Sequence, residues 1–237
     1  MTFVIATPMP DPVRILSVIL SVPPGILDAV LTERLQLSPL TLDDLDEVYA
    51  IYSDPRTWAH LPQGRHASPD TTRAMIETTE RKWQDHQAGY WAIRLAAPLA
   101  GTAGTAGTAG TAGLAAGRLI GTGGVTPLDT GAVAGTWNLG YRLDPASWGR
   151  GFATEIAIAA VGFAARSQPD HPVLGRVMDN NPASSAVLTK VGLSLQWRGE
   201  FDAGAVLENP WLQGLGHCNY ADRPLDAPLL DAVIKLH

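Results

Sequence analysis

WNLGYRLDPASWGRGFATE, residues Trp137–Glu155, changes its periodicity twice within one short stretch. Trp137, Leu139, Tyr141 and Leu143 alternate with Asn138, Gly140 and Arg142. A period of two predicts a strand with one apolar face. Asp144-Pro145-Ala146-Ser147 reads as a turn, and Trp148-Gly149-Arg150-Gly151 steps into a helix expected from about Phe152 to Arg166. That helix is apolar on most sides, as suits one packed deep against a sheet.

The strand-to-helix junction has chemistry of its own. The first amides of a helix have no internal acceptor and carry the positive end of the macrodipole. Gly149 and Gly151 let the backbone approach a ligand and take positive φ, and the small Ala153 and Thr154 keep the mouth open. Such a junction suits a pyrophosphate, with Arg150 adding a charge-assisted contact. Read alone, the same residues also describe an ordinary glycine-containing turn before a buried helix.

Outward from this point the pattern stays legible. Leu35 and Leu37 alternate as a first strand. Thr41-Leu42-Asp43-Asp44 is a helix start, followed by Leu45, Val48, Tyr49 and Tyr52 at helical spacing. Ser68-Pro69-Asp70 opens a second helix, with serine as cap, that runs to about Gln87. Trp91–Leu95 and Arg118–Val125 read as strands, as do Val173–Met178, Leu193–Arg198 and His217–Ala221. Asn181 caps a short helix with Pro182 in its first turn, Lys190 in its last and Gly192 after it; Leu229–Leu236 is a terminal helix. Together these predict an α+β (mixed α/β) fold: one mixed sheet, mostly antiparallel, of about six to seven strands flanked by helices.

Two segments stand apart. Gly101–Gly113 reads GTAGTAGTAGTAG, a three-residue repeat without charge or large side chains. It cannot bury much apolar surface and is expected as a flexible loop, over about residues 99–117, between two strands. The N-terminal extension, residues 1–29, contains an apolar run, Ile15–Val22, that is far shorter than the roughly 20 residues of a membrane span.

Composition narrows the class. The chain has 237 residues, 46% apolar and 17% charged, with a net charge of −6. That is a globular composition, acidic overall, which argues against nucleic acid as partner. Cys218 is the sole cysteine, so no intrachain disulfide can form and a cytoplasmic setting is expected. The six histidines show no close metal-ligand spacing, so no metal is expected.

At this point the residues match a family. Tyr141–Glu155, YRLDPASWGRGFATE, resembles the acetyl-CoA motif of the GCN5-related N-acetyltransferases, most of all the branch that acetylates ribosomal protein N-termini. Glu33–Trp58 is similar to that family's opening strand and helix, Arg176–Leu193 to its Asn-x-x-Ser segment ending in Val-Gly-Leu, and Tyr220–Leu225 to an ending seen in some members. The resemblance implies a catalytic domain over about residues 30–225, followed by a C-terminal helix or tail, 226–237. Acetyl-CoA is the implied co-substrate, with the backbone of Trp148, Gly149, Arg150, Gly151, Phe152, Ala153 and Thr154 holding its pyrophosphate. The exposed backbone of Leu139, Gly140 and Tyr141 would pair with the pantetheine arm by strand addition, and supply donors for the developing oxyanion. Asn181 would bond the same arm, and Ser184 would face the thioester sulfur and return a proton to the thiolate.

The resemblance also implies an amine acceptor, bound where Trp58 and His60 lie, and a monomer or homodimer. Asn138 occupies the place where many members of this branch carry glutamate beside the reacting amine. Asparagine cannot take a proton, so the acceptor is expected to be weakly basic: a protein or peptide α-amine or a small amine of low pKa. His60 is the fallback base. Two other classes stay open. A non-catalytic CoA-binding module of the same fold would also explain Asn138. A dinucleotide-binding oxidoreductase would use Gly149-x-Gly151-x-x-Thr154, but that fingerprint should open a parallel sheet rather than follow antiparallel strands.

Overall fold

The computed structural model describes residues 29–100 and 113–236. The N-terminal extension with its Ile15–Val22 run, and nearly all of the glycine-threonine-alanine repeat, lie outside the described residues. At the base of the repeat, Leu99 and Leu114 exchange backbone hydrogen bonds of 2.8 and 2.9 Å, so the insertion leaves and re-enters the domain at one point.

The strands are β1 (Val30–Leu31), β2 (Leu35–Pro39), β3 (Trp91–Leu95), β4 (Leu119–Leu128), β5 (Thr136–Leu143), β6 (Val173–Met178), β7 (Ser194–Glu200) and β8 (Gly216–Ala221). The helices are α1 (Leu45–Tyr52), α2 (Pro69–His86), α3 (Phe152–Ser167), α4 (Pro182–Lys190), α5 (Ala203–Glu208) and α6 (Ala227–Ile234). One sheet of eight strands runs in the order β1-β2-β3-β4-β5-β6-β8-β7. Every neighbouring pair is antiparallel except β5 and β6. The strand beyond the expected six to seven is β1, whose two residues are too short to show a period. The Gly149-x-Gly151 step does enter a βαβ unit, β5-α3-β6, but this is one parallel pair late in an otherwise antiparallel sheet, whereas the dinucleotide fingerprint opens a doubly wound parallel sheet.

Local chemistry explains most element ends. Asp44 accepts the Thr41 amide at 3.0 Å and opens a 3-10 turn that runs into α1. Ser68 sits at the N-cap of α2, but its side chain bonds the Thr71 hydroxyl at 3.4 Å instead of capping an amide. Asn181 does cap α4, accepting from the Ser184 amide at 3.3 Å. β4 extends past Val125 through Pro127, since β3 stops pairing at Gly123 and leaves that edge without a ladder for proline to break.

α3 is the crossover between the parallel pair and lies on the sheet. Phe152, Ile156, Ala157, Ala160 and Ala164 are buried beneath it with Trp137, Leu139 and Leu143 of β5. Three alanines on that face let helix and sheet approach closely. On the opposite side α1 and α2 cover Ala92 and Leu119 with Val48, Ile51, Tyr52, Trp58 and Ile76. Ile156 is fully buried. Ile156→Ala should cost about 2–5 kcal/mol in urea unfolding, with an unchanged slope, as expected for a cavity in a packed core.

Candidate active site

The site starts at the end of β5. Pro145–Ser147 forms one 3-10 turn, in which the Ser147 and Trp148 amides already donate to Asp144 O at 2.8 Å and Pro145 O at 3.2 Å. Beyond it, Gly149 and Gly151 take φ of 72° and 80°. Those left-handed steps turn the chain back before α3 begins, and side chains would strain both. Among the described residues, the amides of Gly149, Gly151, Phe152, Ala153 and Thr154 donate to no protein acceptor. Glu155 makes the first closed helical bond, to Gly151 O at 3.1 Å. A Cβ at Gly149 would meet nothing within 4 Å, so the mouth is open. Unsatisfied amides around a glycine turn at a helix N-terminus form an anion cradle.

Two expected residues sit differently. The Trp148 amide belongs to the turn and its indole donates to Leu143 O at 2.9 Å, so its contribution to the cleft is the ring, not the amide. The Arg150 guanidinium donates to Ala100 O at 3.3 Å, and Arg150 is not among the residues lining the cleft.

Sequence reading missed what holds the turn. Arg34, just before β2, donates to Arg150 O at 2.8 Å and lies over the Phe152 ring at 4.6 Å. Its side chain also pairs with Glu155 at 2.7 Å, while its amide and the Thr32 hydroxyl donate to the same carboxylate at 2.9 and 2.5 Å. A residue some 120 positions away in the chain thus braces both ends of the cradle. No local pattern could have pointed to it.

Below the cradle, β5 and β6 diverge. They pair only at Trp137↔Val173 and Asn138↔Leu174. Trp137 donates to Pro172 O at 2.8 Å, so strand alternation turns the Tyr141 amide toward the same edge, where no strand covers it. The gap is a cleft of 1470 Å³. Its lining brings together Asn138–Tyr141, Trp148, Gly149, Gly151–Thr154, Asn181, Ser184, Trp58 and His60. Leu139 keeps its side chain in the core and offers only backbone. The Tyr141 hydroxyl spans the gap to Ser184 O on α4 at 3.5 Å.

The other side of β5 makes a second lobe. Asn138, Gly140 and Arg142 share one sheet face, set against α1 and the turn that follows it. Trp58 is buried and donates to Tyr52 O at 2.7 Å, with Arg142 stacked 3.2 Å from its ring. The Tyr90 hydroxyl lies over Gly140, where a Cβ would come within 2.5 Å of it. Burial, then the Tyr52 phenol nearby, pushes the Tyr90 pKa up to about 12. Burial, then Arg142, lowers the pKa of His60 and of His66. His60 is therefore an uncharged imidazole at neutral pH. Tyr90, Arg142 and His66 were not singled out in the sequence, as nothing local tells a core tyrosine from one in a cleft. Among the described residues no group of histidine, cysteine and acidic side chains could hold a metal, and no helix is long and apolar enough to cross a membrane.

This architecture is that of an acetyl-CoA-binding transferase: a splayed parallel pair with an anion cradle above it. The chain matches the model of the acetyltransferase (GNAT) domain over residues 34–194, and it belongs to that family. It is an acetyl-CoA-dependent N-acetyltransferase. Solved structures of the same fold include a GNAT-family acetyltransferase from Bordetella pertussis, at 17% identity and TM-score 0.60, covering 83% of this chain and 99% of that one. The microcin C7 self-immunity acetyltransferase MccE, in complex with acetyl-CoA and AMP, matches at 14% identity and TM-score 0.59, with 85% and 98% coverage. RimL, a ribosomal L7/L12 alpha-N-protein acetyltransferase in complex with coenzyme A, matches at 16% identity and TM-score 0.59, with 84% and 99% coverage. No curated protein matches.

Two outcomes test the geometry. Arg34→Met should weaken coenzyme A binding in calorimetry by roughly tenfold, because it frees the turn and leaves the Glu155 carboxylate near the phosphates without its cation. Between about pH 10 and 12 the unfolded chain loses a tyrosine proton that folded Tyr90 keeps, so stability falls as pH rises through that window. Tyr90→Phe should flatten that fall in thermal melts taken across it.

Proposed function

We propose that this protein moves an acetyl group from acetyl-CoA to a weakly basic primary amine, an α-amine of a protein or peptide or a small amine of low pKa, by direct attack within a ternary complex. The observation that carries the reading is the set of unsatisfied amides at Gly149 and Gly151–Thr154, at the head of a cleft open on both sides of β5. Those amides would hold the pyrophosphate. The uncovered edge of β5 at Tyr141 would receive the pantetheine arm, with the carboxamide NH2 of Asn181 left to donate toward it while its oxygen caps α4. Acetyl-CoA supplies the acyl group as an activated thioester.

The remaining work falls to the chain's own groups. Amides on the uncovered edge of β5 are placed to stabilise an oxyanion. Ser184 sits in the first turn of α4 beside that edge and would return a proton to the thiolate. Asn138, on the opposite lobe, orients the amine but accepts no proton. His60, its pKa lowered by burial, would serve as the fallback base within the same cleft.

Acceptor chemistry follows from the weak base. An α-amine with pKa near 7.8 is roughly 15% neutral at pH 7, while a lysine amine near 10.4 is roughly 0.04% neutral. A site without a carboxylate base therefore favours the α-amine by a factor of hundreds. That RimL carries the description of an alpha-N-protein acetyltransferase agrees with this preference. We also infer a cytoplasmic setting, since Cys218 is the sole cysteine and no intrachain disulfide can form.

Thiol release measured with a panel of N-terminal peptides and small amines tests the reading directly. Acetyl-CoA should turn over with α-amines near pH 7.5 and far more slowly with lysine side chains. Asn138→Glu should extend use to more basic amines and move the pH profile to lower pH. An identical profile for every amine would remove Asn138 from the argument, and no heat with coenzyme A in calorimetry would remove the acetyltransferase reading itself.

A further inference from the structure

We infer that the acceptor amine also carries an anionic group, a carboxylate or a phosphate, held between Arg142 of β5 and Arg176 of β6. The inference rests on the acetyltransferase reading above and names the substrate class it takes. The pairing of Asn138 with Leu174 sets the faces of both strands. Arg142 therefore lies on the same sheet face as Asn138, and Arg176 on the same face as Leu174, so both guanidinium groups flank the acceptor lobe. Both residues line the cleft.

Among the described residues neither cation has a carboxylate partner. Arg142 donates to Thr57 O and stacks on Trp58, 3.2 Å from the ring, with Tyr52 at 5.4 Å. Arg176 donates to Leu236 O at 2.9 Å. Among the described residues neither makes an ion pair, whereas Arg34, Arg56, Arg94, Arg118, Arg198 and Arg223 do; Arg65, Arg73, Arg81 and Arg166 also make none, but they lie outside the cleft. Among the described residues Glu208 is the one acidic residue in the lining, which also contains Arg56 and Lys190. In a chain of net charge −6 a cationic cleft does not follow from composition.

The energetics favour a built site. Burial lowers the pKa of Arg142, yet a guanidinium stays charged in proteins. Each guanidinium has five donors, and one carbonyl apiece leaves most of them unspent. Stacking on Trp58 fixes the plane of Arg142, so a fork of N–H groups is preset for a carboxylate or phosphate. An anion there neutralises two like charges that the fold leaves facing one lobe. The amine end of the same molecule would lie along β5 toward Asn138.

Thiol release at saturating acetyl-CoA, with paired acceptors whose KM is expressed per neutral amine, tests this. The phosphate arm compares O-phosphoethanolamine with ethanolamine. The free-carboxylate arm compares alanine with alaninamide, and the peptide arm Ala-Asp-Gly-amide with Ala-Asn-Gly-amide. In at least one arm the anionic member should show a KM lower by roughly tenfold to hundredfold, the range of a charge-assisted hydrogen bond. Raising salt should erase that advantage and leave the neutral partner unchanged. Arg176→Gln should remove most of it without changing coenzyme A affinity, and Arg142→Lys should keep part of what Arg142→Gln loses. The wild-type salt series needs no variant, so it decides even if Arg142→Gln fails to fold. Neutral acceptors used as well as anionic ones in all three arms, or a preference that survives both glutamine variants, would overturn the inference and leave acetyl transfer standing. Absence of coenzyme A binding would take down both.

Discussion

The divergence of β5 from β6 is the constraint on which the rest depends. After two residue pairs the strands part, and backbone groups that would have bonded each other across a sheet are left facing a gap. In a closed core such groups would cost several kcal/mol each, so a gap of this kind persists only if water or a ligand fills it. α3 keeps the strands from closing again. It leaves β5 above the gap, crosses the sheet on a tight alanine face, and returns the chain to β6. The same crossover places the helix N-terminus over the gap, so the anion cradle and the unpaired edge arise from one piece of geometry.

That arrangement needs bracing, since two left-handed glycines and five open amides make a soft turn. Glu155 and Arg34 supply it. Glu155 gathers three donors from Thr32 and Arg34, just before β2, and Arg34 passes the restraint on to Arg150 O and the Phe152 ring. The brace is half exposed, so its direct contribution to stability is modest. Its effect lies in holding the turn in one shape before ligand arrives, so that little ordering is left to be done on binding.

On the far side of β5 the sheet does different work. Asn138, Gly140 and Arg142 face a lobe walled by Tyr52, Trp58, Tyr90 and His60. Gly140 is the residue that lets Tyr90 come so close. On the proposed reading a single strand would serve donor and acceptor from its edge and its face. Proximity of the two substrates would then be built into the strand, the main resource for the direct attack proposed above.

Local pattern was enough for the elements nearest the site. The alternation of Trp137–Leu143 and the Gly149-Arg150-Gly151 step placed strand, turn and helix close to where they lie, since period and glycine chemistry are properties of neighbouring residues. Asn181 as a cap was legible for the same reason. Two-residue β1 was not, because so short a strand exists only by pairing with β2. Ser68 looked like a cap, yet packing turned its hydroxyl to Thr71. Long-range partners were out of reach altogether: Arg34 against Glu155, Tyr90 over Gly140, and the carboxylate-free pair Arg142 and Arg176 are meetings that sheet order creates. Residue types dictate what a short segment prefers, whereas which charges end up unpaired in a shared cleft depends on how distant segments are brought together.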